Sequence, residues 1–229
     1  MVDDEPLLRM IFERWITSLG CKAVYSAADG RSALALLHTH PIDLLISDIR
    51  MPIMDGVTLV RHLSEISHPV PAIIFVSGFG DIDLREMYDL GVEAFLAKPS
   101  DRRELLTAME KALAERSSLW LEPMHTAPRQ LLVQSDDASS VTGRPSLSVG
   151  RGGFSAHVSK PLSLGKLAFD WYLDDHPCRF IGQGYVRWSS RADKSVGVEV
   201  VYLDPACRSW FVDEIARSLP RSFIPGLTT

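Results

Sequence analysis

Cysteine is scarce in this 229-residue chain: Cys21, Cys178 and Cys207 are widely spaced, odd in number and form no CxxC pair. Such usage speaks against a disulfide framework or a structural zinc site and suits a reducing cytoplasm. No apolar stretch reaches the ~20 residues that span a bilayer, so no membrane insertion is expected. The opening Met1-Val2-Asp3-Asp4-Glu5 is acidic where a secretory signal would be basic and then apolar. Positive charge is not in excess either: the net charge is −5, made of −7 up to Glu115 and +2 beyond it. Neither half is basic enough for an electrostatic grip on nucleic acid. What remains is a globular balance, 46% hydrophobic and 23% charged, without a disorder signature. The length suits one large or two ordinary domains, and the change in charge between the halves favours two.

The first half alternates two periods. Leu7, Leu8, Ile11, Phe12, Trp15, Ile16 and Leu19 follow one helix face, and Gly20 ends it. Cys21–Ala27 reads as a short strand, followed by a helix from Asp29-Gly30 to His38. Ile42–Ser47 is an apolar strand that ends on Asp48. Val57, Val60, Leu63 and Ile66 mark the next helix, and Pro71–Ser77 is again a continuous apolar strand. A helix through Leu84, Met87 and Tyr88 leads to the strand Val92–Pro99. Asp101 and Glu104 then resemble a capping box for a last helix through Leu105, Met109 and Leu113. Strands alternating with helices, several of them apolar on both faces, predict an α/β doubly wound parallel sheet.

Ligands in such folds collect at the carboxyl ends of the strands. Asp48, Ser77 and Lys98 stand at three such ends, and Asp3 and Asp4 fall where a further strand would finish. An ionised carboxylate ending a buried strand is costly unless it is paired. Crowded carboxylates raise one another's pKa unless a cation sits among them. Hard oxygen ligands at strand ends suit Mg²⁺. A carboxylate beside that ion, faced by a lysine and a hydroxyl, has the parts to attack a phosphoryl group and hold the product.

In order and spacing, "VDDEP", "SDIRMPIMDG", "FVSG" and "AFLAKP" resemble the receiver domain of two-component response regulators, a flavodoxin-like fold. The resemblance implies that Asp48 accepts phosphate from a histidine kinase or phosphotransfer protein. It implies an acidic pair, Asp3 and Asp4, and Mg²⁺ held by Asp4, Asp48 and the Arg50 carbonyl. It also implies that Lys98 and Ser77 contact the phosphoryl group while the ring of Phe95 turns inward. Pro52 and Gly56 would shape the loop after Asp48, and Lys98-Pro99 is where the family often has a cis bond. Haloacid-dehalogenase-like phosphatases also use a strand-end aspartate, but they need an acid two residues later, where this chain has Arg50. No enzyme activity is therefore expected. Receivers normally carry about five apolar residues before the acidic pair, and here only Met1-Val2 precede it. A natural start upstream, or a weakened domain with a poorly held Mg²⁺, is expected.

Residues 117–128, with Pro123 and Pro128, read as a linker between a domain at 1–116 and another at 129–220. Strand patterns follow at Leu131–Gln134, Lys166–Leu173, Cys178–Trp188 and Ser195–Leu203, then a helix from about Pro205. This predicts a small antiparallel all-β barrel or sandwich with a terminal helix. "SLSVGRGGF", "GQGYVRW" and "VGVEVVYL" resemble a PilZ domain, a barrel family that often binds cyclic di-GMP. The candidate nucleotide-binding residues are Arg129, Arg144, Ser146, Ser148 and Arg151. Arg129 is followed four residues later by Val133, so the family's RxxxR is missing. Weak binding of cyclic di-GMP or none is expected. Two outputs stay open: a PilZ-like domain linked to cyclic di-GMP, or an adaptor whose barrel docks a downstream protein without nucleotide. A DNA-binding output is not expected, because the terminal helix carries Asp213 and Glu214 beside Arg217. His38 and His40 are expected to cap a helix end, and Trp171, Trp188 and Trp210 to anchor the core.

Overall fold

The computed structural model describes residues 1–65, 70–78, 83–128, 130–133, 147–172 and 179–227. The chain divides into two compact units, Met1–Ile82 with Leu90–Leu113, and Asp83–Asp89 with Ala114–Thr229. No helix among the described residues is long and apolar enough to cross a membrane.

The first unit contains helices α1 (Pro6–Thr17), α2 (Gly30–Thr39), α3 (Gly56–Glu65) and, counting along the chain, α5 (Arg102–Leu113). Between them run strands β1 (Leu44–Asp48), β2 (Ala72–Ser77) and β3 (Val92–Ala97), parallel and in that order. Successive residues of a strand face opposite sides. On one side Ile46, Ile74 and Val76 pack against Phe12 and Ile16 of α1 and Leu105 and Met109 of α5. Leu45, Ile73 and Phe75 point the other way and are equally buried, as are Leu59, Val60 and Leu63 of α3. Burial on both faces is why these strands are continuous apolar runs rather than alternating ones. At the end of α2, His38 Nδ1 lies 2.7 Å from the Leu34 carbonyl oxygen and His40 Nδ1 3.3 Å from that of Leu36. Both imidazoles serve the helix end, as expected.

The expected strand at Cys21–Ala27 does not form as a ladder. Val2 alone bridges to Ala27 on one side and Ser47 on the other. Its amide donates to Ile46 O and its carbonyl accepts from Asp48 N, both at 2.8 Å. A strand exists only where a neighbour supplies partners, and beside residues 21–26 there is instead a cleft of about 700 Å³. Its walls include Val24, Leu36, Leu44 and Met109.

The second unit contains β4 (Gln130–Val133), β5 (Ser148–Val149), β6 (Gly153–His157), β7 (Gly165–Tyr172), β8 (Arg179–Ser190), β9 (Ser195–Leu203) and α6 (Pro205–Ser218). The helix α4 (Leu84–Asp89) belongs to this unit. The strands form one six-stranded sheet in the order β4-β7-β8-β9-β6-β5. Two features depart from the expected antiparallel barrel. β4 pairs with β7 in parallel, and among the described residues the sheet does not close, because β4 and β5 remain its edges. Inside, Phe154, Phe169, Phe180 and Phe211 form an aromatic core, with Phe180 stacked on Phe211 at 5.5 Å. Asp204 caps α6 by accepting from Ala206 N, and Pro205 occupies its first turn, where no amide partner is needed. Trp171 and Trp188 are buried and Trp210 packs edge-on against Phe180, as core anchors should. Trp120 joins the same core, edge-on to Phe211.

Candidate functional site

The apolar run of β1 delivers Asp48 to the carboxyl end of the sheet with only 6% of its surface exposed. Its Oδ1 accepts from the amide of Arg50 at 3.2 Å and its Oδ2 from Lys98 Nζ at 2.5 Å. Asp3 is fully buried; its Oδ1 accepts from Glu5 N at 2.9 Å and its Oδ2 from the same Lys98 Nζ at 2.8 Å. Asp4 is exposed beside them, and one oxygen from each of Asp3, Asp4 and Asp48 lies within 4.8 Å of the others. The lysine therefore bridges two buried carboxylates. Burial alone would favour its neutral amine. The hydrogen bonds and charges of Asp3 and Asp48 outweigh that effect and hold the ammonium above the ordinary lysine range.

Lys98 follows β3, where its amide donates to Ser77 O at 2.8 Å and its peptide bond to Pro99 is cis. The hydroxyl of Ser77 donates to Gly78 O at 2.9 Å. Phe95 is half-buried, its ring 6.2 Å from that of Phe75. After Asp48 the chain turns back sharply, with Gly56 N donating to Ile49 O at 2.9 Å. A Cβ on Gly56 would come 2.2 Å from Asp48 O, so only glycine lets α3 start this close to β1.

The cluster offers carboxylate oxygens only, without histidine or cysteine. That donor set fits a hard divalent cation such as Mg²⁺ and disfavours zinc or copper. Asp4, being exposed, is the carboxylate that Lys98 leaves to solvent or to an ion. In the second unit, Arg129, Arg144 and Ser146 lie outside the described residues. Ser148 opens β5 opposite Ser155, and Arg151 lies in the turn between β5 and β6.

A parallel sheet carrying three carboxylates and a lysine at its strand ends defines a flavodoxin-like unit equipped to hold a metal ion and an anion together. Residues 1–110 match the family model of the response regulator receiver domain, and this part of the chain is a receiver domain of a two-component system. Such domains bind Mg²⁺ at an acidic pocket, typically interact with histidine kinases or phosphotransfer proteins, and are generally non-enzymatic signal transducers. The chain is 37% identical over 99 residues to the Regulator of RpoS of Escherichia coli, a match covering 43% of this chain and 29% of that protein. It is 36% identical over 116 residues to the DNA-binding transcriptional regulator NtrC of Proteus hauseri, covering 49% and 24%. The matches thus span less than a third of these curated relatives. Among solved structures, a response regulator receiver protein from Pseudomonas putida is 36% identical, with 48% of this chain and 92% of that one covered and a TM-score of 0.43. The CheX-CheY-BeF3-Mg²⁺ complex from Borrelia burgdorferi gives 29% identity, 50% and 87% coverage and a TM-score of 0.46.

Proposed function

We propose that the chain is a cytoplasmic response regulator in which phosphorylation of Asp48 controls a PilZ-like output region. In this reading residues 1–116 form the receiver, 117–128 the linker and 129–220 the output domain. The observation that carries it is the bridge from Lys98 Nζ to Asp48 and Asp3 beside Asp4, at the strand ends of a receiver fold. A carboxylate oxygen of Asp48 attacks the phosphorus of a phosphohistidine: the new O–P bond forms as the N–P bond breaks, and the leaving imidazole takes up a proton. Lys98 then shifts from the carboxylate to the phosphoryl oxygens, a charge-assisted contact that exists only in the phosphorylated state. Ser77 abandons the Gly78 carbonyl to donate to the same oxygens, and Phe95 turns inward behind it. Differential contact in the two states is what moves the equilibrium. Asp4, Asp48 and the Arg50 carbonyl would hold Mg²⁺, which would supply positive charge to offset the phosphoryl oxygens. Incubation with an autophosphorylated histidine kinase or phosphotransfer protein tests this. Radiolabel should pass to this chain with Mg²⁺ and not with a chelator; transfer that ignores the chelator would reject the assignment.

The adaptor reading of the output domain gains support from one contact. The turn between β5 and β6, which carries the PilZ-like sequence, is covered by Phe223. A covered turn leaves no open floor for cyclic di-GMP, in keeping with an output domain that binds no nucleotide.

A further inference from the structure

Beyond α6, which ends at a left-handed Leu219, residues 220–227 run without regular structure. Yet Phe223, Ile224 and Leu227 are 2%, 0% and 7% exposed. The backbone of this segment is spoken for on two sides. On one, Arg151 N donates to Ser222 O at 2.9 Å and Gly152 N to Phe223 O at 3.0 Å. The ring of Phe223 fills the place where a side chain at position 152 would stand: a Cβ there would lie 1.9 Å from Cε2. On the other side is α4. The Tyr88 carbonyl accepts from Phe223 N at 2.9 Å, and the Tyr88 ring stacks with Phe223 at 6.0 Å. Asp89 Oδ1 accepts from Ser222 Oγ at 3.0 Å and from Gly226 N at 2.7 Å. Arg85 donates to Leu227 O at 2.9 Å and pairs with Asp193 at 2.6 Å.

These are the features of a bound peptide: backbone amides and carbonyls met from both sides, an aromatic anchor in a glycine-floored slot, and a proline (Pro225) that stiffens the bound form. We propose that α4 and the turn Gly150–Gly153 together form a docking site for an aromatic-anchored peptide, and that Ser222–Leu227 is its resident occupant in cis. The strap closes the turn, so anything that uses the turn must first displace Phe223. In the chain α4 stands between β2, which ends in Ser77, and β3, which leads to Lys98. The strap's anchor is thus covalently flanked by both switch strands.

Amide hydrogen exchange on the full chain, run without phosphodonor, tests the strap separately from phosphorylation. Asp89 is exposed, so Asp89→Ala leaves no cavity while removing two hydrogen bonds. It should speed exchange of segment 222–227, and of Arg151 and Gly152 with it, by about ten-fold or more, while β9 is unchanged. Gly152→Ala should release the same amides. A synthetic peptide spanning Pro220–Thr229 should bind a full-length Phe223→Ala variant and not the wild type. Exchange of both segments within about two-fold of wild type in Asp89→Ala would overturn the proposal. Faster exchange of 222–227 with Arg151 and Gly152 still protected would overturn it equally.

Discussion

Replacing Lys98 with methionine keeps the length of the side chain and removes its charge. The ammonium lies 2.5 Å from Asp48 Oδ2 and 2.8 Å from Asp3 Oδ2, and Asp3 has no exposed surface. Two carboxylates would therefore lose their counter-ion with little solvent to replace it. Removing one partner of a buried pair costs about 3–5 kcal/mol, a large share of the roughly 5–15 kcal/mol that holds a domain together. A divalent cation relieves the same repulsion, because oxygens of Asp3, Asp4 and Asp48 lie within 4.8 Å of one another. Mg²⁺ should therefore stabilise the variant more than the wild type; a ligand at 100 times its Kd adds about 2.7 kcal/mol. Roughly half the loss should return at saturating Mg²⁺. Native-state exchange of the β1 amides against urea, with and without Mg²⁺, reads both quantities. A loss under about 1 kcal/mol would mean that the pair behaves as a surface ion pair. An equal Mg²⁺ increment in both proteins would mean that lysine and metal do not share the carboxylates. Either result refutes the reasoning.

Gly56→Ala should push Asp48 out of line, since the added Cβ meets Asp48 O at 2.2 Å; a several-fold slower phosphorylation by acetyl phosphate, with the chain still folded by circular dichroism, is the expected outcome. Burial pushes the Asp193 carboxyl up, but hydrogen bonds from Ser190, Ser195 and Arg85, with the Arg85 charge, hold it well below the usual range. Its contribution is thus present above the unfolded value of 3.8 and fades as pH falls further through the folded value. Wild type should exceed Asp193→Asn by about 1.5 kcal/mol at neutral pH, with the gap closing below pH ~4 in urea titrations. Isothermal titration of the full chain with cyclic di-GMP should give millimolar binding or none; sub-micromolar binding lost in Arg151→Ala would contradict the closed turn.

The sheet of the first unit was legible because β1, β2 and β3 are apolar on both faces, a pattern that burial under helices on each side requires. So was the convergence of Asp3, Asp48 and Lys98, which follows from strand-end positions alone. Lys98's choice of two partners, and the outward turn of the Ser77 hydroxyl, depend on side-chain geometry that no periodicity encodes. Cys21–Ala27 misled because its residues favour a strand while its pairing depends on what lies beside it. In the second unit Ser195–Leu203 was read with its observed limits, whereas β5 and β6 were hidden: two residues, then a glycine-rich turn, give no alternation to count. Trp120 sat in a proline-bearing stretch that reads as linker. The strap was the hardest to see, since "SFIPG" looks like a tail until Gly152 and Phe223 are placed together.

The central claim is that Asp48 is the phosphoacceptor, and intact mass spectrometry after treatment with acetyl phosphate and Mg²⁺ tests it most directly. The wild-type chain should gain the mass of a single phosphoryl group, and Asp48→Asn should gain none. A label that persists in Asp48→Asn, or a wild-type chain that takes none although it is folded and binds Mg²⁺, would contradict the account.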